Sequence, residues 1–371
     1  MQLFKLKPKL HEFNSFTEFA KDFNLGPNDL VITNEFLFTP FMKPLNLSCH
    51  YIMQEKCGLG EPSDEMMNNI LKDVQNINYD RIIAVGGGTV IDISKLFVLK
   101  DITDVCDAFE RKIPIIKDKQ LIIIPTTCGT GSEVTNISIA ELKSKHTKLG
   151  LADDALLADD AVIIPELLKG LPFRFYAASA IDALIHAVEA YLSPKATAYS
   201  QLFSKEAIRI SLDIFRNIAM QGGEYRFARL RDMLIASNYA GIAFGNAGVG
   251  AVHALSYPLG GTYHVPHGEA NYQFFTKVLN VYQQKKPEGD IIEINQILAD
   301  SLHVSTYNVY EQLDYVLGRM LPKKPLREYG MIESDIEAFI NNVEKTQQRL
   351  LANNYVAFTQ EDIRGIFQEL Y

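Results

Sequence analysis

Arg81-Ile82-Ile83-Ala84-Val85-Gly86-Gly87-Gly88-Thr89-Val90-Ile91-Asp92-Ile93-Ser94-Lys95 opens as an apolar run, breaks on three glycines and resumes with helical spacing. The run reads as a buried strand, and the glycines as a turn into a helix over residues 90–99. Glycines at such a turn let backbone amides approach a pyrophosphate closely, and the helix N-terminus adds a partial positive charge. Asp92 and Lys95 lie one turn apart, so their side chains can face a bound cofactor or one another. The stretch is not G-x-G-x-x-G, and a tight turn without ligand explains the glycine trio alone equally well.

Working outward, residues 29–33, 49–53 and 121–124 read as further strands, and residues 64–77 as a helix. Strands alternating with helices imply crossover connections, a mainly parallel sheet, and ligands at the carboxyl ends of the strands. The strand at 121–124 runs into Pro125-Thr126-Thr127-Cys128-Gly129-Thr130-Gly131-Ser132-Glu133, a second turn rich in hydroxyls and glycine. Such a turn suits hydrogen bonding to phosphate, ribose or an adenine edge. Two of them at strand ends of one sheet favour a nucleotide site.

Past Leu171-Pro172 the pattern becomes helical, over 173–191, 198–219, 225–241, 290–302, 309–320 and 334–351. The expected architecture is a Rossmann-like α/β domain over residues 1–170, followed by an all-α domain over 171–371. A length of 371 residues accommodates two such domains. Ordinary glycine and proline content excludes a collagenous or disordered chain. With 36 basic and 45 acidic residues the formal net charge is −9, and no basic stripe offsets it, which argues against nucleic-acid binding. The four cysteines form no C-x-x-C pair, the N-terminus shows no signal-peptide pattern, and no apolar run suffices for a membrane span. A cytoplasmic, reduced, soluble protein is expected.

Asp182-Ala183-Leu184-Ile185-His186 lies in a stretch without glycine or proline, so the carboxylate and imidazole share one helix face and can reach a single ion. His253 and His267 follow, with Pro258 and Gly260-Gly261 between them expected to end the helix that carries His253. One Asp and three His form a four-ligand set suited to Zn²⁺ or Fe²⁺. The alternatives are a surface ion pair of Asp182 with His186 and structural histidines elsewhere. His11, His50, His146 and His303 are read as structural or surface residues. A divalent ion lowers the pKa of an alcohol oxygen, which can then release hydride to a nicotinamide held by the α/β half. That chemistry is expected in an interdomain cleft.

These motifs resemble the iron-dependent (group III) alcohol dehydrogenase family, of dehydroquinate synthase-like architecture. Its Gly-Gly-Gly-Ser-x-x-Asp-x-x-Lys stretch corresponds to Gly86–Lys95, with Thr89 in place of Ser. Its Pro-Thr-Thr-x-Gly-Thr-Gly-Ser-Glu stretch is met by Pro125–Glu133, its Asp-Ala-Leu-x-His-Ala-x-Glu-Ala-Tyr helix by Asp182–Tyr191, and its Pro-Leu-Gly-Gly…Pro-His-Gly segment by Pro258–Gly268. The resemblance implies metal ligands at Asp182, His186, His253 and His267. It also implies NAD contacts at Gly87, Gly88, Thr89, Asp92, Thr126, Thr127, Thr130 and Lys148.

The implied activity is NAD-linked interconversion of 4-hydroxybutyrate and succinate semialdehyde, and the implied assembly a homodimer. Rivals are oxidation of an uncharged alcohol or diol, an NAD-recycling lyase, and a non-enzymatic binding module. Tyr257 stands where many members carry a proton-relay histidine, and Tyr257 or His264 is nominated to meet a substrate carboxylate. Asn34 occupies the place of the acidic residue that receives the adenosine ribose. Glu61 replaces a usual Asn, and Ile164 a usual Asp.

Overall fold

The computed structural model describes residues 2–145 and 147–371, so His146 lies outside the described residues. The chain forms two compact units, Leu6–Leu171 and Pro172–Tyr371, the latter joined by residues 2–5. In the first unit six strands make a parallel sheet in the order β1-β8-β5-β4-β2-β3. They are β1 (Lys9–Glu12), β2 (Asp29–Thr33), β3 (His50–Met53), β4 (Arg81–Gly86), β5 (Gln120–Pro125) and β8 (Asp160–Ile163). A hairpin of β6 (Ile137–Leu142) and β7 (Thr147–Ala152) stands apart as an antiparallel pair.

Alternate residues of the central strands enter two separate cores, which is why those strands read as continuous apolar runs. Leu30, Ile32, Ile82, Ala84, Leu121 and Ile123 face one side, where they meet α2 (Asp64–Val74), α3 (Gly88–Leu96) and the hairpin. Val31, Ile83, Val85, Ile122 and Ile124 face the other, against Phe16 and Phe19 of α1 (Phe16–Asp22) and against Leu37 and Met42. Each fully buried Ile or Val contributes about 1.5–3 kcal/mol. Ile164, where a family acid is usual, is wholly buried in this second core.

Connections that cross the sheet toward β3 pack on the α1 face, and those that return toward β8 pack on the α2–α3 face. The right-handed crossover rule requires this separation. The direction of travel therefore reverses between neighbouring β2 and β4, which opens a crevice at their carboxyl ends.

The second unit is helical: α4 (Phe173–Leu192), α5 (Ala198–Gln221), α6 (Leu230–Ala247), α7 (Ala251–Tyr263), α8 (His267–Lys285), α9 (Asp290–Leu302) and α10 (Val309–Met320), with shorter helices to the C-terminus. From Ala180 to Leu192 every residue of α4 is buried, so this helix is the axis of the unit and its polar side chains need internal partners.

Several expectations change. Helix α7 continues through Pro258 to Tyr263 and stops at His264, whose φ of 53° is left-handed. A proline removes only one helical N–H, and Pro258 and Leu259 are buried, so packing outweighs a penalty of about 3 kcal/mol. Residues 223–228 form a tight 3₁₀ turn ahead of α6, and the stretch at 334–351 breaks into Asp335–Thr346 and Gln348–Leu351. Among the described residues no helix is long and apolar enough to cross a membrane.

Candidate active-site elements

Within the first unit, Gly87 is the N-cap of α3, with no side-chain cap over the helix amides. A Cβ on Gly86 would lie 2.5 Å from that of Val90. A Cβ on Gly87 would meet Thr127 Cγ2 at 3.3 Å, and one on Gly88 would meet Thr130 Cγ2 at 3.2 Å. The two turns are thus packed against each other, with Thr126 N–H donating to Gly86 O at 3.0 Å. Gly131 completes the second turn at φ 54°, a conformation that disfavours residues with a Cβ.

Lys95 is fully buried and ties α3 to the second turn, donating to Ser132 Oγ (2.7 Å), Thr135 Oγ1 (3.3 Å) and Ile137 O (2.8 Å). Burial lowers its pKa to about 8, against the pull of Asp92 and Glu133. Asp92 accepts from Ser132 Oγ at 3.1 Å and from Ile139 N–H at 3.1 Å, and burial raises its pKa. Both side chains therefore brace the turns. Thr127 Oγ1 is buried without a hydrogen-bond partner, an orphan of the kind a bound diphosphate or ribose would satisfy. Thr89 Oγ1 donates to Gly60 O at 3.0 Å, and Lys148 on β7 pairs with Glu61. Asn34, at the end of β2, donates to Gln54 Oε1 (3.2 Å) and Glu55 Oε2 (2.9 Å). The glycines, uncapped helix amides and orphan hydroxyl fit a dinucleotide phosphate.

The second unit gathers Asp182 and His186 from α4, His253 from α7 and His267 from the first turn of α8. One ligand atom from each lies within 4.8 Å of all the others. Asp182 Oδ2 is 4.0 Å from His186 Nδ1 and 4.0 Å from His267 Nε2, and Asp182 Oδ1 is 4.0 Å from His253 Nε2. Two bonds of about 2.1 Å to a shared ion span up to about 4.2 Å, so the spacing suits a first-row divalent metal. Burial raises the Asp182 pKa, but the charges of the three histidines outweigh it and hold the carboxyl below its usual range.

The backbone explains how four dispersed side chains meet. A Cβ on Gly268 would sit 2.4 Å from Ala178 O, so only glycine lets the start of α8 press against α4 and bring His267 to Asp182. The N-cap of α7 is Gly250, which has no side chain to offer. Asn354 Oδ1 accepts from Ala251 N–H at 3.2 Å and Glu189 Oε1 from Val252 N–H at 2.7 Å, so remote groups cap the helix.

Sequence reasoning missed two residues. Glu189 Oε2 lies 2.6 Å from His253 Nδ1 and accepts that nitrogen's proton, so the neutral imidazole presents its Nε2 lone pair to an ion. That Nε2 is buried with no hydrogen-bond partner, an orphan that a metal would satisfy. Asn271 donates to Asp182 Oδ1 at 2.7 Å, lies 3.2 Å from His267 Nε2, and is itself held by Ser256. The signals were present: Glu189 is seven residues beyond Asp182 and Asn271 four beyond His267, both on ligand-bearing helix faces. The half-buried Tyr257 ring lies 6.1 Å from that of His267, whereas His264 is exposed at the end of α7. Of the other histidines, His11 Nε2 pairs with Asp160 at 2.8 Å.

Sequence models of two families match the chain. The one described as iron-containing alcohol dehydrogenase covers residues 10–165, and the C-terminal model of the Fe-containing alcohol dehydrogenase family covers 176–371. The chain is 53% identical over 371 residues to a 4-hydroxybutyrate dehydrogenase of Clostridium kluyveri, covering 100% of each. It is 37% identical to long-chain-alcohol dehydrogenase 1 of Geobacillus thermodenitrificans over 84% of this chain and 80% of that one. In fold it is similar to a sulfoacetaldehyde reductase from Bifidobacterium kashiwanohense, solved in complex with NAD⁺, with a TM-score of 0.85, 18% identity, and coverage of 100% and 99%.

Proposed function

This chain belongs to the iron-containing alcohol dehydrogenase family, and from that premise we propose that it interconverts 4-hydroxybutyrate and succinate semialdehyde, with NAD as the hydride carrier. The observation that carries the reading is the convergence of Asp182, His186, His253 and His267 within 4.8 Å. The substrate follows from the full-length 53% identity to the Clostridium kluyveri enzyme.

In the oxidative direction the C4 hydroxyl loses its proton, C4 loses a hydride to the nicotinamide, and the products are the aldehyde, NADH and one proton. A divalent ion, Fe²⁺ or Zn²⁺, supplies Lewis acidity that lowers the pKa of an alcohol and polarises a carbonyl. Asp182, His186, His253 and His267 would hold it, with Glu189 and Asn271 fixing ligand orientation. Gly87, Gly88, Thr89, Thr126, Thr127 and Thr130 receive the dinucleotide with backbone amides and hydroxyls. Lys95 and Asp92 keep the two turns in register, and Lys148, paired with Glu61 next to the Gly60 carbonyl that Thr89 meets, is a further cofactor contact. Residues 1–170 thus carry the cofactor and residues 171–371 the metal.

Tyr257, whose ring neighbours His267, is the better placed donor for the substrate's carboxylate, with the exposed His264 as the second candidate. A cytoplasmic homodimer acting on small molecules completes the reading.

The test is a substrate panel on anaerobically purified protein, followed by NADH absorbance. The proposal predicts kcat/KM for 4-hydroxybutyrate at least about tenfold above butanol and 1,3-propanediol, because the carboxylate contributes charge-assisted hydrogen bonds. Equal values for all three would assign an uncharged alcohol instead. Tyr257→Phe should reduce that discrimination, and His264→Ala should lower kcat/KM for 4-hydroxybutyrate by a smaller factor while leaving butanol oxidation unchanged.

A further inference from the structure

The strand next to a glycine-turn strand, at its carboxyl end, is where dinucleotide folds place a carboxylate against the adenosine ribose. Here that strand is β2, hydrogen-bonded to β4, and the residue after it is Asn34, which has no charge. Ile32 pairs with Ala84 and Thr33 with Met53, so continuing each register sets Asn34 level with Gly86 on one side and Gln54 on the other. The next residue along, Glu55, turns back toward Asn34. Its Oε2 accepts from Asn34 Nδ2 at 2.9 Å, and its Oε1 accepts from Glu35 N–H at 2.6 Å.

We propose that Glu55 is the cofactor-selecting residue: supplied from the 3₁₀ turn that follows β3 and anchored by Asn34, its carboxylate accepts from the ribose hydroxyls of NAD and repels the 2′-phosphate of NADP. The inference rests on the dehydrogenase reading above. Two adjacent strand spacings separate Glu55 from the glycine turn, about 10 Å, so the group stands beside the phosphate cradle. Each carboxylate oxygen is engaged by one protein donor, which leaves lone pairs for a diol. Local charge agrees. Glu35 stands beside Glu55, and the neighbouring cation, Lys56, is 71% exposed and 4.0 Å from Glu35, so the three groups sum to −1. A doubly charged 2′-phosphate would enter a negative field.

A purely structural Glu55, holding the chain turn at Glu35, would alter stability without altering the choice between the two nucleotides. Isothermal titration of the metal-loaded protein with NAD⁺ and with NADP⁺ separates these roles. The wild type should bind NAD⁺ more tightly. Glu55→Gln should lower the ratio Kd(NADP⁺)/Kd(NAD⁺) by about tenfold or more, since like-charge contact is removed. Glu55→Asp keeps the charge and should keep the preference. Asn34→Ala, which frees Glu55 from its anchor, should lower the ratio by a smaller factor. Glu35→Gln should move it by less than about threefold.

An unchanged ratio in Glu55→Gln, or a wild type that prefers NADP⁺, overturns the assignment of Glu55 and leaves the dehydrogenase reading intact. A wild type that binds neither nucleotide overturns both.

Discussion

The two glycine-rich turns, proposed as the phosphate cradle, and the Asp–His cluster, proposed as the metal site, are built by opposite means. The cradle is local: two turns, each contiguous in sequence, offer backbone amides and short hydroxyls, and their fit depends on atoms that are missing from Gly86, Gly87 and Gly88. The metal cluster is non-local, joining side chains of α4, α7 and α8, and its fit depends on helices held at fixed approach. An added Cβ at Gly87 or Gly88 meets a threonine methyl at 3.2–3.3 Å, whereas one at Gly268 meets backbone at 2.4 Å and must shift a helix. Substitutions should therefore separate the regions, one set changing nucleotide affinity and the other changing metal content.

The largest effect is expected from removing ligands. His186→Ala combined with His267→Ala should leave the protein folded, abolish bound metal in elemental analysis, and lower kcat by about 10³-fold or more. Wild-type turnover in that variant would break the comparison, because the cluster would then have no chemical task.

Gly268→Ala comes next. Its new Cβ would lie 2.4 Å from the backbone oxygen of Ala178, which cannot rotate away, so α8 must move and carry His267 with it. A stability loss of about 1–3 kcal/mol in denaturant unfolding, with reduced metal content, is expected.

Glu189→Gln sharpens the contrast further. An amide offers one acceptor where the carboxylate offers two, and Val252 N–H takes it. The amide NH₂ then faces His253 Nδ1 and drives the imidazole proton to Nε2, onto the lone pair a metal requires. Chelator competition should show metal affinity lower by about 10–100-fold, with NAD⁺ affinity unchanged.

Gly88→Ala gives the smallest effect and the opposite signature. Its Cβ would meet Thr130 Cγ2 at 3.2 Å, a contact relieved by small movement. Titration should show NAD⁺ binding weakened by about tenfold or less, with full metal occupancy.

The same local and non-local division governs what could be read in the sequence. Strands β2, β4 and β5 are apolar on both faces because helices cover both sides of the sheet, so their runs announce themselves. The edge strand β1, Lys9-Leu10-His11-Glu12, is largely exposed and carries no such run, and β8 is only four residues long. The β6–β7 hairpin does alternate, with every second residue of β6 buried, but the pattern lies between a glycine-rich turn and a charged loop that mask it. Pro258 and Gly260-Gly261 predict a helix end that packing overrides.

In the site, Asp182 and His186 are legible through their spacing on one helix, and the glycine turns through their position after strands. Glu189 gains its meaning only from the 2.6 Å contact with His253, 64 residues away in sequence. Glu55 gains its meaning only from the pairing of β2 with β3, which brings it to Asn34. Roles set by tertiary pairing between distant segments leave little trace in local composition.

The most direct test of the account is elemental analysis of anaerobically purified protein, with NADH formation from 4-hydroxybutyrate followed on the same samples. One divalent ion per chain is predicted, with metal and activity lost together on chelation and regained together when Fe²⁺ or Zn²⁺ is returned. Undiminished NADH formation by chain stripped of all metal would contradict it.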